Sequence, residues 1–160
     1  MATLELRLEG DPALRRRCRE VARVDERIRR QLDDMLDTLH ATPGGAALAA
    51  PQVGILRRMV VIDMGEGPLL LVNPRILWQQ GEQHCIEGCL SIPGRCGSTV
   101  RPARVTVEAL DRDGEPVQLS GAGAMAKCLC HELDHLDGVL YTDKALEVWP
   151  VGGGEEDENG

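Results

Sequence analysis

Residues 131–135 read His-Glu-Leu-Asp-His, and no other short stretch restricts the fold of this chain as much. Two imidazoles four positions apart share a face on an α-helix, so the pattern requires a helix here and a neighbour on its His131/His135 side. Two ring nitrogens on one face can hold a single divalent cation, and Glu132 beside them supplies a carboxylate for moving protons. That combination is the equipment of metal-assisted hydrolysis. The same spacing also occurs on solvated helix faces, so the rest of the chain has to supply what a metal site still lacks.

The helix is predicted to run from about Ala122 to Asp137 and to stop at Gly138, where left-handed geometry costs a glycine nothing. A second helix is predicted over about 25–40, because Ile28, Leu32, Met35, Leu36 and Leu39 recur at helical spacing and Asp25 is suited to the N-cap. It ends at Thr42-Pro43-Gly44-Gly45. From 58 to about 120 the texture changes to short β-branched runs, Met59 to Ile62, Leu69 to Val72 and Val105 to Leu110. Asp111-Arg112-Asp113-Gly114 reads as a hairpin turn into Val117-Gln118-Leu119. Val139-Leu140-Tyr141 is expected to form a short final strand. The fold class is therefore α+β, with small antiparallel β-sheets packed around a central metal-binding helix and an N-terminal helix beside them.

A chain of 160 residues suits one domain, expected over 1–150. Residues 151–160, which contain Gly152-Gly153-Gly154 and Glu155-Glu156-Asp157-Glu158, are expected to form a disordered acidic tail. With no Phe, one Tyr and two Trp, the core must be built from Leu, Val, Ile, Ala and Met. The same scarcity leaves no aromatic platform for stacking single-stranded nucleic acid. Arg15, Arg16, Arg17 and Arg19 read as a solvated face on a chain of net charge −8, so direct nucleic-acid binding is not expected. No stretch approaches the ~20 apolar residues of a membrane span, and no secretory signal opens the chain, which points to the cytosol. Six cysteines in such a chain suggest reduced thiols, with at least one serving as a metal ligand.

A catalytic zinc-type centre takes three protein ligands and keeps one position open. In metzincin proteases the third is a His, but Tyr141 stands where it should be. A thermolysin-like plan needs a Glu on a later helix, and only 25 residues follow His135. The remaining source lies upstream, around Glu87-Gly88-Cys89-Leu90-Ser91.

Here the chain resembles the peptide deformylase family. Three motifs match in order: Gly45-Ala46-Ala47-Leu48-Ala49-Ala50-Pro51-Gln52 for G-x-G-L-A-A-P-Q, Glu87 to Ser91 for E-G-C-L-S, and His131 to His135 for H-E-x-x-H. The resemblance covers about residues 4–145. It implies that Cys89, His131 and His135 hold one divalent ion, Fe²⁺ physiologically, with Zn²⁺, Ni²⁺ or Co²⁺ also able to fill the site. It implies removal of the formyl group from N-formylmethionine of newly synthesised proteins by metal-bound hydroxide, with Glu132 as general base and acid. Gln52 and the Leu90 backbone N–H would stabilise the developing oxyanion, and Gly45, Ala46, Ala47 and Gly88 would line the substrate main chain. The partners implied are N-formylmethionyl nascent peptides, met near the ribosome in a bacterial cytoplasm.

Three positions depart from the family pattern. Ala47 replaces its second glycine, Cys96 falls where an arginine is expected, leaving Arg95 one place early, and Cys130 replaces a common Gln. Cys85, Cys96, Cys128 and Cys130 read most simply as small buried hydrophobes. Two alternatives stay open: a non-catalytic or altered-specificity member of the same fold, and a general H-E-x-x-H metallopeptidase.

Overall fold

The computed structural model describes residues 2–151, so the expected acidic tail falls, from Gly152 onward, outside the described residues. A helix, α1, spans Glu26–Ala41. The Asp25 side chain accepts a hydrogen bond from the Ile28 N–H at 3.0 Å, as an N-cap should. Its buried stripe of Ile28, Leu32, Met35 and Leu39 is the one the spacing predicts.

Eight strands follow the same logic: β1 (Ala47–Ala49), β2 (Met59–Ile62), β3 (Leu69–Gln80), β4 (Gln83–Cys89), β5 (Ile92–Arg101), β6 (Arg104–Leu110), β7 (Pro116–Ala122) and β8 (Glu147–Pro150). Five of them form one sheet in the order β1-β2-β3-β6-β7, and β4-β5-β8 form another. Every pairing between these strands is antiparallel. The central helix, α2 (Ala124–Leu136), begins two residues later than expected because Ala122 completes β7.

The five-stranded sheet is covered on both faces. Val60 and Ile62 pack into a core with Ala126, Leu129 and Leu136 of α2. Met59 and Val61 point the other way, into a core with Ile28, Leu32 and Met35 of α1. This is why β2 is an unbroken apolar run rather than an alternating one: neither of its faces meets water. The core is aliphatic, as the composition requires. Tyr141 is the largest fully buried side chain in it.

Two expectations need correction. Leu140 is extended, but Tyr141 opens a single helical turn, α3 (Tyr141–Lys144), so 139–141 is not a strand. The Asp143 carboxylate accepts the Leu140 N–H at 3.0 Å and pairs with Arg15 at 2.5 Å, which holds the turn closed. The final strand is β8, paired along β5. β3 also runs well past Val72, to Gln80, and at its interruption the side chain of Asn73, at φ +52°, bonds both N–H and C=O of Val21. The chain passes the Asn73-Pro74 interruption and pairs again with β6 after a register shift.

Candidate metal centre

α2 has to be apolar on most sides to sit between sheets, yet it buries His131, Glu132 and His135. Burying such groups is costly unless each has a partner. Part of the answer comes from β4, whose last residue is Cys89. The ladder of β4 and β5 is irregular between Glu87 and Cys89, and this turns the end of the strand toward α2. The ligand atoms of Cys89, His131 and His135 all lie within 4.8 Å of one another, and all three residues are buried. Cys89 Sγ is 3.4 Å from His135 Nε2, and the two imidazole centroids are 5.0 Å apart.

His131 Nε2, His135 Nδ1 and Glu132 Oε1 are buried and have no hydrogen-bond partner. Native interiors rarely leave such atoms orphaned, and one of them, His131 Nε2, lies 3.9 Å from the other Glu132 oxygen, Oε2. One thiol sulfur and two imidazoles form a borderline-soft donor set that suits a divalent transition-metal ion, with a further coordination position left open. The residues therefore fit a metal ion, which would take the orphaned His131 Nε2 as a ligand beside Cys89 Sγ and His135 Nε2.

Electrostatics sharpen the site. Burial pushes the Glu132 carboxyl up to about 7, against the pull of His131. Burial opposes a proton on both imidazoles. On His131 the Cys89 sulfur and the Glu87 carboxylate outweigh it and raise the pKa well above the ordinary value. His135, buried beside His131, falls well below that value. His131 Nδ1 lies 2.8 Å from Glu87 Oε1, so the ring donates there and turns Nε2 toward Cys89 and His135. A carboxylate behind a ring of this kind fixes its tautomer and orientation.

The other predicted residues surround this cluster. Gln52 lies in a short 3-10 helix (Ala50–Val53) just after β1. Its Oε1 accepts the Ala49 N–H at 2.9 Å, while Nε2 donates to Ser91 Oγ at 3.0 Å and reaches Cys89 Sγ at 3.6 Å. Leu90 sits in the turn from β4 to β5, and its Cδ1 would be 3.2 Å from a Cβ on Gly45. The Gly45-Ala46 segment therefore faces Leu90 closely. Gly88 is buried in β4 at the irregularity. Ala47 belongs to the α2-side core and pairs with Ile62; its methyl is spent on packing. Among the described non-glycine residues only Asn73 has positive φ, so alanine at 47 causes no backbone strain.

Sequence reasoning gave no role to Glu87, Ser91, Thr99, Arg101 or Tyr141, all of them buried around the cluster. Strand parity would have exposed part of this set, because Glu87 lies two residues before Cys89 and shares its face. Cys85, Cys96, Cys128 and Cys130 are buried, as expected, and so is Cys18, for which the sequence reading made no such statement.

A buried thiol and two helix-spaced histidines, with a carboxyl alongside, define a metal-dependent hydrolase. Comparison with known proteins narrows this class. The polypeptide deformylase family model matches residues 3–148. Peptide deformylase 2 of Clostridium acetobutylicum is 56% identical over 147 residues, covering 92% of this chain and 98% of that protein. The peptide deformylase of Acetivibrio thermocellus is 54% identical over 146 residues, covering 91% and 85%. The crystal structure of peptide deformylase from Thermotoga maritima superposes with a TM-score of 0.87 at 37% identity, covering 91% of this chain and 99% of that one. The chain belongs to the peptide deformylase family. No helix among the described residues is long and apolar enough to cross a membrane.

Proposed function

We propose that the chain removes the formyl group from the N-terminal formylmethionine of newly made proteins in a bacterial cytoplasm, with Cys89, His131 and His135 holding one divalent ion. The observation that carries the reading is the convergence of these three ligands at a point where buried His131 and Glu132 atoms lack partners. Fe²⁺ is the ion proposed for the cell, and Zn²⁺, Ni²⁺ or Co²⁺ satisfy the same donors. The bound ion supplies Lewis acidity, lowering the pKa of water and polarising the formyl oxygen.

The chain's own residues do the rest. Glu132 takes a proton from the attacking water and passes it to the departing amine, a role worth about 10²–10⁴ in rate. The Gln52 amide, held through Ala49 and Ser91, and the Leu90 N–H supply donors for charge growing on the formyl oxygen. A substrate oxygen would compete only with the long Gln52 contact to Cys89 sulfur. β1 lies at the edge of its sheet, so the peptide main chain can run beside it as an added strand, along Gly45, Ala46 and Ala47 and opposite Gly88. Substrates are met as they leave the ribosome, by transient encounter and without nucleic-acid binding.

The test is release of free amine from formyl-Met-Ala by protein prepared anaerobically with Fe²⁺, beside acetyl-Met-Ala and an unformylated peptide. Turnover confined to the formylated substrate supports the assignment. Cleavage of the unformylated peptide would make the protein a general metallopeptidase, and metal-loaded protein inert toward all three would make it a non-catalytic member.

A further inference from the structure

Arg101 ends β5 and is only 3% exposed, an unusual place for a guanidinium unless its nitrogens are paired. All of them are. Nε and Nη2 donate to the two oxygens of Glu87 at 2.5 and 2.9 Å, and Nη1 donates to Asp134 Oδ2 at 2.8 Å. Glu87, itself 2% exposed, also accepts from Thr99 Oγ1 at 2.5 Å and takes the Nδ1 side of His131 at 2.8 Å. Its two oxygens thus meet four donors, about the number a carboxylate can accept. Lys144 Nζ lies 3.1 Å from the same Asp134 oxygen and 3.3 Å from Oδ1.

The two carboxylates that Arg101 grips lie on the two pieces of chain that build the metal cluster. Glu87 is two residues before Cys89 on β4. Asp134 sits between His131 and His135 on α2. Strand and helix are far apart in sequence, and the sulfur and nitrogen ligands must still be held within a few tenths of an ångström of a fixed spacing for coordination.

We propose that Arg101 is a positioning residue that sets the distance between the Cys89 strand and the His131/His135 helix and holds the Glu87 carboxylate behind His131. The proposal rests on reading Cys89, His131 and His135 as metal ligands. It assigns Asp134 a function too: in the pattern H-E-x-x-H the fourth residue is unspecified, whereas here it anchors the helix to β5. Lysine cannot replace the arginine. An ammonium is a point charge, and only a planar fork bonds one carboxylate edge with two nitrogens while aiming a third at another group.

A purely structural ion-pair network would stabilise the fold without tuning the centre, so the test reads the metal as well as the folding. Full-length protein and the variants Arg101→Lys, Asp134→Asn and Lys144→Ala are loaded with Co²⁺ under anaerobic conditions. Thiolate-to-cobalt absorption, Co²⁺ affinity by chelator competition, thermal midpoint and kcat/KM are then compared. The expected result is an affinity about 10–100-fold weaker and an altered absorption spectrum for Arg101→Lys, in the range seen when groups supporting metal ligands are changed. Asp134→Asn moves both readouts in the same direction by less. Lys144→Ala, which removes only the solvent-side partner of Asp134, leaves affinity within about twofold and the spectrum intact.

Wild-type affinity and spectrum in both Arg101→Lys and Asp134→Asn, whatever their midpoints, overturn the proposal. If Arg101→Lys does not fold, Asp134→Asn decides alone by the same two readouts. Wild-type protein that takes up no cobalt would instead overturn the metal-ligand reading, and the positioning role would fall with it.

Discussion

Replacing Gly138 by alanine isolates the fit between the end of α2 and the N-terminal segment. Gly138 has φ +77°, and a Cβ there would lie 2.6 Å from the carbonyl oxygen of Arg15 and 2.8 Å from its carbon. Both are backbone atoms, held in place because Cys18 N–H donates to Leu136 O at 2.8 Å and Arg15 Nη1 donates to Gly138 O at 3.1 Å. Gly44 has the same φ of +77° with nothing within 4 Å of a built Cβ, so it is a matched control. Left-handed geometry costs alanine about 1–2 kcal/mol, and the smaller freedom of the unfolded chain offsets about 0.4–1 kcal/mol of it. Gly44→Ala should therefore cost about 0–1.6 kcal/mol. Forcing a methyl into backbone adds about 1–3 kcal/mol, so Gly138→Ala should cost about 1–3 kcal/mol more than Gly44→Ala and lower the thermal midpoint by roughly a further 2–12 °C at this chain length. Urea unfolding followed by far-UV circular dichroism measures both variants. Equal losses for the two would show that the Arg15 backbone yields freely, and would refute the close fit on which the argument depends.

Glu132→Ala should keep the metal, measured by elemental analysis, and lose at least about 10² in kcat; a variant retaining most of its rate would remove Glu132 from the chemistry. Cys89→Ser should weaken metal binding far more than Cys85→Ser, although both thiols are buried on the same strand, and equal effects in a chelator titration would sink the ligand assignment. Asp33 accepts the Arg112 fork at 2.9 and 2.7 Å, and that hydrogen bond holds its pKa below the ordinary value. A depressed carboxyl stabilises the fold above its unfolded pKa of about 3.9 and loses that contribution as pH falls through the folded pKa. Asp33→Asn should therefore cost up to about 1 kcal/mol at pH 7, with a deficit in urea titrations that shrinks as pH drops below about 4; a deficit independent of pH would refute the pairing.

Helices and short strands were legible because their burial is local. The stripe on α1 and the run Met59 to Ile62 record, residue by residue, which faces meet the core. The misread segment, 139–141, carries apolar residues with no period long enough to separate a strand from a turn, and what decides it is a side chain: Asp143, bonded to the Leu140 N–H and to Arg15, which is 128 residues away. β5 was hidden for a similar reason. Its Pro93-Gly94-Arg95-Cys96-Gly97 reads as loop, and only pairing with β4 on one side and β8 on the other makes it a strand. At the site, the motifs picked out Cys89, His131 and His135, whose ligand atoms lie within 4.8 Å of one another, while the Arg101 contacts to Glu87 and Asp134 span 14 and 33 residues and leave no spacing to read.

The three departures from the family motifs become intelligible in the same terms. Ala47 packs against the α2-side core together with Cys130, and both are at most 5% exposed. A methyl or a thiol there is apolar surface removed from water, favourable wherever the space exists. Cys96 is buried at 4% where β5 pairs with Trp149 of β8, whereas Arg95, one position earlier, is part-exposed and paired with Glu9. A shift of one residue along a strand moves a side chain to the opposite face, so the arginine here has been traded for an outward ion pair and the inward position closed with a small hydrophobe. None of the three side chains is among the cluster's ligands. The substitutions therefore alter packing behind the metal centre and its rim, and leave the donor set itself unchanged.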